Sequence, residues 1–281
     1  MFVEIGDERR PCIARGKGKA AVVGDRVMLD GDLVTGVGPR KSELVRVDAL
    51  GDRPQVIAAN IDVMFIVCAV EPPLREGLID RYIVAAHAAR IDPVIIFNKT
   101  DLWLDDEPED EEDFRERLSP YPPLGVPVFY TAATEERGLE GVREAMVGRL
   151  GIFVGHSGVG KTSLLNALCP GLAHRTQELS EQSGRGRHTT THTELFVVPT
   201  GGEVIDSPGI RAFGLWAMAP TEVKSHFVEF AEFARQCRFA NCIHDREPGC
   251  AVKAAVESEK ISPYRYEAYL RIKDSLADDG P

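Results

Sequence analysis

The sequence predicts an α/β protein in three parts: a small antiparallel β-barrel, a parallel sheet covered by helices, and a helical module with a cysteine and histidine cluster. Three observations predict it. The first 52 residues hold short valine-rich runs broken by glycine, as in "AVVGDRVMLDGDLVTGVG". From about Ile57 onward, apolar runs alternate with stretches of helical spacing. After Pro220 the chain turns polar and helical, and three of its six cysteines gather between residues 237 and 250.

Alternating valines with a turn every few residues suit a small barrel, for which an OB-type barrel is the best match. Next, "IDVMFIVCAV" reads as a buried strand and "LIDRYIVAAHAARI" as a helix, followed by strands at "PVIIF" and "VPVFY", a helix at "GLEGVREAMVGRL" and a strand at "GIFV". Strands alternating with helices are the signature of a parallel sheet with helical cover. "ELFVV" and "GEVID" predict an antiparallel pair turning through "PTGG". The expected boundaries are 1–52 for the barrel, 53–218 for the sheet domain and 219–281 for the helical module.

A hydrophobic content of 43% and a charged content of 27% are those of a soluble globular chain. The longest apolar run, Val63 to Val70, is too short to cross a bilayer. The opening "MFVEIGDERR" has no apolar signal region, and Glu4, Asp7 and Glu8 argue against a transit peptide. A cytoplasmic location without a membrane partner is expected.

A net charge of −11 argues, taken alone, against a nucleic-acid partner. However, "DDEPEDEEDFRE" (105–116) holds nine acids and one arginine, which accounts for −8 and leaves −3 for the rest. That run reads as a solvated loop and helix start. "RRPCIARGKGK" (9–19) has five basic residues and no acid, a segment able to touch phosphate.

"GIFVGHSGVGKTSLLNAL" places G-x-x-x-x-G-K-T between a strand and a helix, the context of a phosphate-binding loop. Gly155, Gly158 and Gly160 let the backbone wrap phosphates, so that the N–H groups of the loop, including those of His156, Ser157 and Val159, and the helix N-terminus point at the anion. Lys161 is expected at the β- and γ-phosphates, the Thr162 hydroxyl on magnesium and the Ser163 N–H at the α-phosphate. This loop alone does not tell ATP from GTP. "NKTD" after a buried strand does: Asp101 can accept two hydrogen bonds from the guanine N1–H and exocyclic amine, which adenine does not offer there. Asn98 is expected at the other edge of the base, the Lys99 stem along the ring face, and Thr100 within the same loop. In "TAAT", Thr131 and Ala132 stand where a backbone contact to guanine O6 belongs.

"VIDSPG" ends a strand at Asp206, expected to hold magnesium through water, and the following Pro208-Gly209 backbone can sense a γ-phosphate. Between these motifs, "SGRGRHTTTHTEL" is rich in glycine, threonine and basic residues and suits a switch loop. Thr190 is the expected metal-sensing threonine, with Thr189 and Thr191 as rivals. The base-reading motif precedes the phosphate loop, the reverse of the usual order. A circular permutation explains this, because it moves the chain ends and keeps the sites in place. It also leads the second switch, "DSPGIRAFGL", directly into the C-terminal module. The fold class is therefore a circularly permuted P-loop GTPase domain between an OB-like barrel and a helical zinc-binding module.

Cys237-x4-Cys242-x-His244-x5-Cys250 offers three thiolates and one imidazole. This is the donor set of a closed tetrahedral zinc site, with no position left for water. One structural Zn2+ is expected there, and Mg2+ with GTP in the nucleotide site. Arg235, Arg238, Arg246 and Lys253 around the cluster suit an RNA-facing surface.

Permuted motif order, N-terminal barrel and C-terminal cluster together resemble the ribosome small-subunit-dependent GTPase family, type A, over nearly the whole chain. "VGDRV", "PRKSELVR", "NKTDL", "GHSGVGKTSLLNAL", "GRGRHTTTHTEL" and "DSPGIR" carry the resemblance. It implies a GTP hydrolase acting in late maturation of the small ribosomal subunit, with the subunit and its rRNA as partner and activator, GTP and GDP as ligands, and a monomeric chain. Potassium-activated permuted GTPases carry asparagine where this chain has Gly158, so no potassium dependence is expected. Ile210 stands where many GTPases place a water-orienting glutamine and cannot hydrogen-bond water. The resemblance implies a switch histidine in that role. His188 is the candidate, with His156 and His192 as alternatives. A GTPase switch that recruits a protein effector through its zinc module is the competing reading, and an RNA-binding module with a merely structural nucleotide site is a third.

Overall fold

The computed structural model describes residues 1–6, 8–14, 21–47, 54–103, 108–170, 194–206 and 218–278. His188, Thr190, their rivals Thr189, Thr191 and His192, and the stretch 208–210 lie outside the described residues. So do Arg15, Lys17 and Lys19 of the basic segment.

Seven short strands open the chain: β1 (Phe2–Ile5), β2 (Glu8–Pro11), β3 (Ile13–Ala14), β4 (Val27–Asp30), β5 (Leu33–Val37), β6 (Glu43–Val47) and β7 (Pro54–Ala59). The pairs β1–β2, β4–β5 and β6–β7 are antiparallel, as expected. β3 instead runs parallel to β5. One edge of β5 is occupied by β4 through the tight turn at Gly31 and Asp32, and β3 takes the other edge in the same direction. β7, which the expected boundary after residue 52 assigned to the sheet domain, pairs with β6; we propose placing the junction at residues 60–62.

The motifs "VGDRV" and "PRKSELVR" meet at this junction. The Arg40 guanidinium donates from Nε and Nη2 to the two carboxylate oxygens of Asp25, each at 2.7 Å. Asn60 Nδ2 donates to the Gly24 carbonyl at 2.8 Å, while Asn60 Oδ1 accepts the Lys41 N–H at 2.9 Å. The Ser42 hydroxyl donates to the Ile61 carbonyl at 2.7 Å. The barrel is thus tied to the segment leading into β8 by polar bonds that are buried at Ser42 and partly buried elsewhere, which cost free energy when left unmade.

The second part is a six-stranded sheet in the order β10-β9-β8-β11-β13-β12, comprising β8 (Val63–Ala69), β9 (Asp92–Asn98), β10 (Val128–Tyr130), β11 (Leu150–Val154), β12 (Glu194–Val198) and β13 (Gly202–Asp206). All neighbours are parallel except β12 and β13, which form the antiparallel pair predicted around "PTGG". Every residue of β8 is buried because both faces of the sheet are covered. Its alternation separates two cores. Met64, Ile66 and Cys68 pack with Ile79, Tyr82 and Ile83 of helix α1 (Glu76–Ala89). Val63, Phe65 and Val67 pack with Val142 and Met146 of α3 (Glu140–Met146) and Leu165 of α4 (Lys161–Leu168). The acidic run enters α2 (Pro108–Leu118). β11 lies at the centre, between β8, where the domain begins, and β13, near its end. That placement is the permutation in three dimensions.

The third part contains two short 3-10 turns, Val223–His226 and Val228–Phe230, then helices α5 (Ala231–Ala234), α6 (Ala251–Glu257) and α7 (Pro263–Asp278). Phe227, Phe230 and Tyr269 form its aromatic centre, with ring centroids 5.1–5.5 Å apart. Val84 and Ala85 of α1 belong to the same core, so this module is packed on the sheet domain. No helix among the described residues is long and apolar enough to cross a membrane.

Candidate nucleotide site and metal centre

The phosphate loop leaves the C-terminal end of β11 and closes into α4. Gly155 has φ +139°, and a Cβ there would lie 2.2 Å from the Val67 carbonyl oxygen. Gly160 has φ +93°, and its Cβ would lie 2.3 Å from Asn98 Nδ2. Only glycine fits either position. Lys161 Nζ folds over the loop and donates to the carbonyls of Gly155 at 2.8 Å and His156 at 2.6 Å. His156 is exposed and Ser157 beside it is exposed too, with His156 Nδ1 2.8 Å from the Ser157 carbonyl. Thr162 and Ser163 sit in the first turn of α4, where backbone N–H groups have no partner within the helix. The loop therefore presents a ring of donors and an ammonium group, an anion site by construction.

Asn98, the last residue of β9, is 2% exposed and joins three loops. Its Nδ2 donates to the Val159 carbonyl at 3.0 Å. Its Oδ1 accepts the Thr131 hydroxyl at 2.9 Å and the Ala133 N–H at 3.2 Å. Besides the base contact expected of it, this carboxamide holds "NKTD", "TAAT" and the phosphate loop together. Lys99 has φ 66°, and the turn at Thr100–Leu102 follows, fixed by Thr100 N–H on the Thr131 carbonyl at 3.1 Å. The Ala132 N–H, expected at guanine O6, donates to the Arg137 carbonyl at 3.0 Å, so a base contact there has to share or replace that bond.

Asp101 Oδ1 is buried and has no hydrogen-bond partner. A buried acceptor without a donor is costly, roughly 1–3 kcal/mol. Guanine supplies two donors for a carboxylate, so this orphaned oxygen fits the expected base. Asp206 ends β13, the neighbour of β11, which places it beside the phosphate-loop strand.

The four residues of the cysteine and histidine cluster converge, with all donor atoms within 4.8 Å of one another. Cys237 Sγ and Cys250 Sγ lie 3.6 and 3.5 Å from His244 Nδ1, and 4.0 Å from each other. A tetrahedral zinc with Zn–S bonds of about 2.3 Å needs sulfurs about 3.8 Å apart, so the donors are pre-arranged for such an ion. Burial, together with the neighbouring Cys250 and Cys237, pushes the Cys242 thiol up to about 12. Three thiolates brought this close would be stabilised by a cation.

The surroundings of the cluster escaped the sequence reading. Glu247 accepts the Ile243 N–H at 2.7 Å and the Asp245 N–H at 3.0 Å, bracing the turn at His244, whose φ is 59°. Burial alone would raise the Glu247 carboxyl, but these amides hold it below its ordinary value. Lys224 Nζ donates to the Cys242 carbonyl, and the Tyr266 hydroxyl to the His244 carbonyl, both at 2.7 Å. A short E-x-x-C spacing was the only local signal for Glu247, and none existed for Lys224 or Tyr266.

A central phosphate loop, a base-reading loop earlier in the chain and a thiolate-imidazole cluster on the following module define a circularly permuted P-loop GTPase. The model of the RsgA GTPase family matches residues 37–216. The chain is 41% identical over 288 aligned positions to the "Small ribosomal subunit biogenesis GTPase RsgA 1" of Vibrio parahaemolyticus, covering 99% of this chain and 80% of that relative. Its structure is similar to that of YjeQ from Thermotoga maritima, with a TM-score of 0.81 and 33% identity over 98% of this chain and 94% of that one. It is also similar to YloQ, a circularly permuted GTPase, with a TM-score of 0.76 and 28% identity over 100% and 91%. The chain belongs to the RsgA GTPase family, and it is a GTP-hydrolysing enzyme.

Proposed function

We propose that this GTPase acts in late maturation of the small ribosomal subunit, binding the subunit and its rRNA in the cytoplasm and being stimulated by it. The relative's name supplies the biological setting. The observation that carries the chemistry is the Asn98 junction, which brings a base-reading loop with an unsatisfied Asp101 oxygen against a phosphate loop.

In this reading Asp101 accepts the guanine N1–H and amine, Lys99 lies along the ring, and Thr100, Thr131 and Ala132 complete the base pocket. The backbone of Gly155, His156, Ser157, Gly158, Val159 and Gly160, with Lys161 and Ser163, cradles the phosphates. Thr162, Thr190 and, through water, Asp206 would hold Mg2+, which would supply positive charge to stabilise the phosphates during transfer. Phosphoryl transfer depends on positioning and charge stabilisation. Ile210 cannot orient water, so His188 does so once the switch is docked on the subunit. One structural Zn2+ on Cys237, Cys242, His244 and Cys250 holds together a module that works as part of a monomer.

Co-sedimentation with purified small subunits tests the reading. Binding with a non-hydrolysable GTP analogue and release with GDP is the expected result. Binding in neither state favours a GTPase switch with a protein effector, and equal binding in both removes nucleotide control of the association.

A further inference from the structure

Helix α1 touches both the phosphate loop and the zinc module. On one side Leu78, Ile79 and Tyr82 line a small recess together with Gly155, His156 and Val159. On the other side, within the same turn, is Asp80, which is fully buried. Its carboxylate accepts from Arg265 Nη1 on α7, from the Tyr264 hydroxyl at 3.2 Å and from the Tyr121 hydroxyl at 3.2 Å. Arg265 is 2% exposed; its Nε also donates to Glu229 at 2.7 Å, and its guanidinium stacks 4.5 Å over the Phe227 ring.

This cluster holds the buried Asp80 carboxylate, the partly buried Glu229 carboxylate and one buried guanidinium. A buried pair adds little net stability, but removing one partner leaves an uncompensated charge that must take up a proton or open to water. Interiors packed at crystal density transmit such a shift along a rigid helix. Ile79 and Tyr82 lie one and two positions from Asp80 in the same helical turn, so the shift reaches the wall behind the phosphate loop. We propose that Arg265, seated in the zinc module, is a positioning residue for the phosphate loop, acting through Asp80 and helix α1. The inference rests on residues 155–163 being the phosphate site. It gives the module a hold on nucleotide binding that does not pass through the second switch.

Hydrogen exchange of nucleotide-free, zinc-loaded protein tests it by location. In Arg265→Gln, peptides covering 155–163 should exchange faster by about three- to tenfold. Peptides covering 237–250 and the zinc content should stay at wild-type values. GTP affinity should fall by a similar factor, and Arg265→Lys should recover part of it. Wild-type exchange in the phosphate loop overturns the proposal, and so does equal acceleration of every peptide, which means plain loss of stability. If Arg265→Gln does not fold, Tyr264→Phe removes one donor from Asp80 and decides by the same two comparisons, with a shift of about twofold. A wild-type protein that fails to bind GTP refutes the phosphate-site reading instead, and leaves the exchange comparison intact.

Discussion

Asn98 Nδ2 donates to the Val159 carbonyl across 3.0 Å, and this bond fastens the base-reading loop to the phosphate loop. The rest of the carboxamide reaches Thr131 and Ala133, so one side chain holds together the three loops that the proposed function assigns to base and phosphate. Asn98→Ala would leave a buried carbonyl, hydroxyl and N–H without partners. We expect a loss of roughly 3 kcal/mol in stability, at 1–3 kcal/mol per unsatisfied group with partial relaxation. GTP affinity should fall by more than about tenfold, the equivalent of 1.4 kcal/mol. Denaturant titration and equilibrium nucleotide binding read the two effects; undiminished affinity in the destabilised variant contradicts the role given to Asn98.

Base selectivity is expected to rest on Asp101, whose Oδ1 is buried without a protein donor. Asp101→Asn should shift preference from GTP toward XTP, because the amide can donate to a 2-oxo group. Competition between the two nucleotides measures the change. Equal affinity of the wild-type protein for ATP and GTP is incompatible with this assignment.

Zinc should bind once per chain. Structural zinc contributes on the order of 10 kcal/mol of apparent free energy in small domains, so chelation should melt the module. Cys242→Ala should lower zinc content and subunit binding. The sheet domain has its own two cores and should keep binding GTP, with the affinity reduced by the loss of α1 docking. Metal content by atomic absorption, followed with helical circular dichroism, checks this. A metal-free protein with full helix content rules it out.

Asp62 joins the barrel and sheet domain, with Lys41 on one oxygen and the Leu150 N–H at 2.9 Å on the other. Burial works to raise its carboxyl, but the Leu150 amide and Lys41 outweigh it and hold the group below its ordinary value. A depressed folded-state value means that this contribution is present above the unfolded value of about 3.9 and is lost as pH falls through the folded one. Asp62→Asn should therefore be less stable at neutral pH and lose stability less steeply on acidification. Urea titrations at pH 7 and below pH 4 compare the two slopes; identical slopes remove Asp62 from the acid response.

The strands and helices of the sheet domain were legible because burial on both faces writes an uninterrupted apolar run, as in β8, and one-sided burial writes helical spacing, as in α1. The convergence of Cys237, Cys242, His244 and Cys250 was legible because the four lie at fixed short spacings. What stayed hidden was pairing between distant residues. β7 looks like the start of the sheet domain until its partner β6 is seen. Arg265 lies 185 positions from Asp80, and neither has a local pattern that names the other. The Asn98 bonds to Val159, Thr131 and Ala133 are of the same kind, since a motif shows which side chains cluster and not which neighbour each one holds.

The proposed function stands on turnover that depends on the small ribosomal subunit, and phosphate release with and without purified small subunits decides it. Alone, the enzyme should turn over slowly, because Ile210 offers no group to orient water. Addition of subunits should raise the rate severalfold or more, with His188→Ala binding GTP and subunits yet losing most of the gain, in line with the roughly 10²-fold or larger contribution of a positioned general base. A wild-type rate that does not change on adding small subunits would contradict the account.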